Sequence, residues 1–195
     1  MSLKRFFTIG LFIVLGSFSI YMAYRIYLGY FKYKWGDAID SLDEVNVYYN
    51  GSTSTSKSRN KINGYNIGLR YQCVEFVKRY YYKHYHHKMP ETYGHAKDFF
   101  DLNLEDGSFN KTRGLYQFTN PSHLKPEKGD LIVMGAGNEK YGHVAIVSKV
   151  GDDFVEIIQQ NAGPFGNSRV TYDLEKKEGL YLIHNKRING WLRKQ

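Results

Sequence analysis

The sequence predicts a segregated α+β domain over residues 37–195, preceded by an apolar helical segment within residues 1–36. Three observations carry this. An uncharged run fills Phe6 to Tyr24, an apolar helical period begins at Tyr71, and strand-like runs follow one another from Leu131 to Asn185. Helices first and short strands afterwards is the grammar of an α+β domain, whereas alternation of the two would argue for a parallel α/β sheet.

Each element has its own justification. After Lys4 and Arg5, "FFTIGLFIVLGSFSIYMAY" holds 19 residues without a charge, close to the roughly 20 apolar residues that span a bilayer as a helix. The following "RIYLGYFKYKW" supplies the Tyr, Trp and basic residues of a membrane interface. Ser17 and Ser19 also form the small-x-small pattern of a cleaved signal. Anchor and signal both direct the rest of the chain to the cell envelope. Lys4 and Arg5 favour an N-in orientation, and Arg25, Lys32 and Lys34 oppose it. Residues 36–63, with "GSTSTSKSRNKING", read as a polar approach without apolar period.

From Tyr71, Val74, Val77 and Tyr81 recur at helical steps while Glu75, Lys78 and Arg79 lie elsewhere on the wheel. This helix is expected to reach about Tyr85 and to be stopped by the Met89-Pro90 step. A second short helix is expected over His95–Leu102. Strands are then predicted at 131–135, 143–150, 154–161 and 179–185.

Composition narrows the function. The formal charge of +8 comes from Lys and Arg spread along the chain rather than bunched in a block. No nucleic-acid module signature is present, so a nucleic-acid partner is not expected. A diffuse positive charge suits anionic membrane or cell-wall polymer. The single cysteine excludes an internal disulfide and any multi-cysteine zinc site.

That cysteine, Cys73, sits in "RYQCVEFVKRYYY" where a loop gives way to the helix. A lone cysteine is often a packed core residue. At a helix start, however, unpaired N–H groups and the macrodipole favour thiolate, and the same N–H groups can bind an oxyanion. A thiol nucleophile also needs a base. His84, His86 and His87 crowd one helix end in "KHYHH" and read as solvated, without the further ligands of a metal site. His95, His123 and His184 stand singly. His143 differs, because it opens the apolar strand "HVAIVSKV", where a titratable group needs partners.

Strand register offers those partners. With Gly151, Asp152 and Asp153 as the turn, Val150 pairs with Phe154, so His143 faces Asn161 and Ala145 faces Gln159. A turn one residue shorter or longer presents Gln160 instead. Gln159 and Asn161 are therefore the candidate orienters of the imidazole, the role of the third member in Cys-His sites.

The segments "GLRYQCVEFVKRYY", "KPEKGDLIVM", "YGHVAIVSKV" and "IIQQN", in order across about residues 60–165, resemble the CHAP domains, cysteine- and histidine-dependent amidohydrolases/peptidases. Short bacterial CHAP proteins and the amidase domain of glutathionylspermidine synthetase/amidase are similar in the same places. The resemblance implies a papain-like, NlpC-type core in which the helix carrying the cysteine packs on an antiparallel sheet. It implies Cys73 as nucleophile, His143 as general base, and the Cys73 N–H with the stretch around Gln72 as the oxyanion site. No cofactor or metal is implied. The family usually has Glu where this chain has Gln159, as E-Q-N rather than Q-Q-N. A carboxylate would stabilise the imidazolium, whereas an amide orients the ring.

The expected activity is thus hydrolysis of an amide or peptide bond through an acyl-enzyme, with cell-wall peptidoglycan as the substrate. Two rivals are an amidase for small peptide–polyamine conjugates and a catalytically weak envelope-binding module, the latter suggested by Gln159.

Overall fold

The computed structural model describes residues 3–27, 33–51, 58–135, 140–163 and 166–195. Parts of three segments read above lie outside the described residues: 28–32 of the basic aromatic flank, 52–57 of the Ser/Thr-rich stretch, and 136–139 of the loop before His143. The uncharged N-terminal run forms α1 (Leu3–Tyr27). Its Phe7–Tyr27 span has a mean hydropathy of 1.8, is not buried, and is long and apolar enough to cross a membrane.

The remaining elements are β1 (Ala38–Leu42), β2 (Val45–Tyr48), β3 (Arg59–Ile62), β4 (Tyr65–Leu69), α2 (Cys73–Tyr85), a one-turn 3-10 helix (Ala96–Phe99), β5 (Ser108–Asn110), β6 (Leu115–Thr119), β7 (Leu131–Met134), β8 (His143–Val150), β9 (Phe154–Ile158), β10 (Arg169–Lys177), β11 (Leu180–Ile183) and β12 (Ile188–Arg193). Eight strands form one antiparallel sheet in the order β11-β10-β9-β8-β7-β12-β6-β5. This is the α+β architecture expected.

The sheet is apolar on both faces. Val133, Val144, Ile146 and Ile158 join Phe76, Val77, Tyr80 and Tyr81 of α2 in one core cluster. Ile132, Ala145, Val147, Ile157 and Trp191 form the second. Because side chains alternate along a strand, the near-continuous apolar runs of β7 and β8 serve both clusters.

Three expectations need correction. Residues 36–63 are not a featureless approach, because they contain the β1–β2 hairpin and, in β3, half of another. Both turns place residues at positive φ, Asp43 and Glu44 in one and Asn63 and Gly64 in the other, as tight hairpin turns require. Secondly, α2 does end at Tyr85, but His86 in the left-handed region (φ 52) terminates it before Pro90 is reached. The expected second helix shrinks to Ala96–Phe99. Glu75, Lys78 and Arg79, which lie off the apolar stripe of the wheel, are buried as well, since α2 packs on β2 and β4 of the hairpins as well as on β8 of the sheet.

The β8–β9 register reaches the expected alignment by another route. Val150 pairs with Val155, not Phe154, so the turn is one residue longer than predicted. A bulge between Val147 and Lys149 then absorbs one residue, and Val147 pairs with Ile157. The bulged Ser148 donates from Oγ to the Glu156 carbonyl (3.0 Å) and carboxylate (2.7 Å). Two deviations of opposite sense cancel, and the end of β9 arrives beside His143 in the anticipated phase.

Candidate active site

Cys73 is the first residue of α2, after Gln72 in the extended N-cap conformation (φ −84, ψ 163). Gly68 lets β4 lie against this helix start: at φ +119, a Cβ there would stand 3.2 Å from the Glu75 nitrogen. On the opposite side Gly142 brings the loop before β8 close in. A Cβ at this position (φ +69) would stand 2.6 Å from the Met134 carbonyl oxygen and 2.8 Å from the Lys97 nitrogen. Cys73 and His143 face the same cleft of about 640 Å³, and Gln72 and Asn161 also line it.

Burial pushes the Cys73 thiol above its ordinary value of 9.0, opposed by the backbone N–H groups of Val144, Val74 and Cys73 itself. The expectation that a helix start holds the resting thiol low is therefore corrected. The helix start is present, but desolvation outweighs it. The Val144 N–H belongs to the residue after His143, so the sulfur lies against the mouth of β8.

The imidazole tautomer follows from a chain of contacts. Gln159 Nε2 donates to the Asn167 carbonyl at 2.9 Å. A carbonyl only accepts, which fixes the amide and turns Oε1 toward His143. That oxygen lies 2.9 Å from His143 Nε2. Nε2 therefore carries the hydrogen and donates it, and the ring's lone pair is on Nδ1.

The other predicted residues divide differently. Asn161, at φ 56, donates from Nδ2 to Gln72 Oε1, on the residue before the cysteine. With Oε1 accepting from Asn161, the donor end of the Gln72 amide is Nε2.

Gln160 was not singled out, yet it is fully buried and ties the site together. Its Oε1 accepts from the Tyr48 N–H (2.7 Å), and its Nε2 donates to the Gln72 carbonyl (3.0 Å) and Glu75 Oε2 (2.9 Å). Glu75 in turn accepts from Arg79 Nε (2.8 Å) and Asn60 Nδ2 (3.1 Å). One buried network thus joins both hairpins, α2 and the end of β9.

Of the remaining histidines, all but His95 lie outside the cleft lining. His84 stacks on Tyr80, 3.9 Å from Asp43. His87 meets the Arg113 carbonyl at 2.8 Å, its basicity lowered by burial. His184 pairs with Glu175, and His123 is exposed. His95 lines the cleft. Among the described residues, no group of three or more His, Cys, Asp or Glu is placed to hold a metal.

The chain is similar to known proteins. A trypanothione synthetase from Crithidia fasciculata is 29% identical over 121 residues, which cover 60% of this chain and 18% of that protein. The chain thus matches less than a fifth of that relative's length. The family model for the CHAP domain matches residues 61–161, just over half of the 195 residues. That stretch contains Cys73, His143, Gln159 and Asn161, and the family's chemistry is that of amidohydrolases and peptidases. By this match the chain belongs to the CHAP domain family.

Proposed function

We propose that the chain is a thiol amidohydrolase of the cell envelope, with residues 1–36 as its targeting or anchoring segment and 37–195 as the catalytic domain. The observation that carries this reading is the contact of His143 Nε2 with Gln159 Oε1, which leaves Nδ1 as the base of a residue that lines the same cleft as Cys73. Nδ1 takes the thiol proton as Sγ attacks the amide carbonyl carbon. The oxygen that gains the electron pair is met by the backbone N–H groups at the start of α2 and by Gln72 Nε2. Collapse breaks the C–N bond, and the imidazolium returns its proton to the departing amine. A water molecule, deprotonated by His143, then hydrolyses the thioester and restores the thiol.

Peptidoglycan is the proposed substrate, through its peptide or N-acetylmuramoyl amide bonds, because the apolar α1 supports an envelope location. The similarity to a trypanothione synthetase favours a second reading, cleavage of an amide in a small peptide–polyamine conjugate.

Digestion of purified peptidoglycan by the full-length chain, with products identified by mass, tests the proposal. Cys73→Ala should lower turnover by about 10⁴-fold or more. Equal products from both proteins would refute the mechanism. Turnover of a polyamine conjugate but not of peptidoglycan fragments would select the second reading.

A further inference from the structure

The permanently charged side chain that lines the cleft is cationic. Apart from Cys73, His143 and Tyr141, its titratable lining side chains are Arg59 and His95, and no carboxylate lines it among the described residues. Arg59 is exposed and stacks its guanidinium on the Tyr93 ring at 4.7 Å. Lys140 lies 5.1 Å over the ring of Tyr141 on the loop leading into β8. Stacking uses the face of a guanidinium and leaves its N–H edge for a planar, two-oxygen acceptor.

The wall behind the cleft adds to this. The Lys78 ammonium is buried and donates to the carbonyls of Asn66 (2.6 Å) and Thr92 (3.1 Å). Arg113, also buried, donates to the carbonyls of Glu91 (3.0 Å) and Asp98 (2.9 Å). Neither cation hydrogen-bonds a carboxylate among these partners, although Glu91 acts on both and Asp98 on Arg113. Burial, with Arg113 and Arg59 nearby, pushes Lys78 down to about 8. The nearest carboxylates are those of Glu91 and Asp98, which cap the N–H groups of Tyr93 and His95 at 2.7 Å.

We propose that the cleft selects anionic peptides, Arg59 holding a substrate carboxylate close to the scissile amide. This rests on the hydrolase reading and names the charge of its substrate: a carboxylate-bearing peptide enters a positive cleft, whereas a polyamine arm is repelled by it. Arg59 is a specificity-determining residue that reads the substrate.

The test uses the full-length chain and dipeptidyl electrophiles carrying Glu or Gln at each position, with iodoacetamide as a small neutral probe of Cys73. The Glu reagent is expected to alkylate Cys73 about 10-fold faster than its Gln twin at low ionic strength. The advantage should shrink with added salt and fall to about one in Arg59→Gln. Arg59→Lys should keep part of it, because a point charge replaces the planar fork. A Glu-to-Gln ratio of one or less, or a ratio that survives Arg59→Gln, would overturn the inference. If iodoacetamide leaves Cys73 unlabelled, the hydrolase reading fails, a result that does not depend on peptide charge.

Discussion

Gln159 and Gln160 are neighbours of identical chemistry with opposite employment. Gln159 turns toward His143, accepting from its ring and donating to the Asn167 carbonyl. Gln160 turns into the interior, where it meets Tyr48 of β2, Glu75 and Arg79 of α2, and the carbonyl of the N-cap Gln72. Period-two alternation alone separates them. One amide sets the state of a proton, and the other holds the helix start at the right height beneath it. Loss of the first should therefore register in chemistry, and loss of the second in stability.

The largest expected effect breaks the buried member. Gln160→Leu fills the space but takes the side-chain acceptor from the Tyr48 N–H and a donor each from the Gln72 carbonyl, which keeps the Phe76 N–H, and from Glu75, which keeps Arg79 and Asn60. Removing one partner from such a network costs about 1–3 kcal/mol, a sizeable share of the roughly 5–15 kcal/mol that holds a domain together. Chemical denaturation should show a fall of about 1–3 kcal/mol. If the midpoint barely moves, the division between the two glutamines is wrong.

The next effect concerns the base. Burial raises the Cys73 thiol above 9.0, so without a base it is mostly protonated at neutral pH. His143→Ala should slow iodoacetamide labelling near pH 7 by about 100-fold and move its half-maximal rate above pH 9, the rate rising with pH as thiolate forms. The same shift carries a stability sign. The unfolded chain releases the thiol proton more readily, so this contribution to folding is intact below 9.0 and is lost as pH rises beyond it. Unchanged labelling at pH 7 would remove His143 from the mechanism.

Much of this arrangement is legible in the sequence, and the rest is hidden for physical reasons. The bounds of α2 and the placement of β7 and β8 follow from apolar period, because each presents a long apolar face. The two hairpins were missed because their strands are four or five residues long, although Asn63-Gly64 is a hairpin signal in its own right. Nothing local marks the Ser148 bulge, whose cause is a bond to Glu156 on another strand. The N-terminal ends of α2 and β8 could be found from sequence, and with them Cys73 and His143. Gln160 and Arg59 could not, since what a Gln or an exposed Arg does depends on which distant segments pack beside it.

The smallest effect sharpens the comparison at Gln159. The family's usual Glu would place a carboxylate on His143 Nε2, and an opposite charge at that distance favours the imidazolium. In a Cys73→Ala background, where the thiol no longer couples to the ring, Gln159→Glu should raise the His143 pKa by about 1 unit, read by NMR of the ring protons. The substitution also removes the donor to the Asn167 carbonyl and sets two acceptors face to face, at about 1–2 kcal/mol. A raised histidine pKa contributes stability that is full below its unfolded value, about 6.5, and fades as pH rises through the folded one. The Glu variant should therefore recover part of its deficit relative to the Gln protein on acidification toward pH 5.5. An unshifted ring titration would mean that Oε1 of Gln159 is not the oxygen that His143 reads.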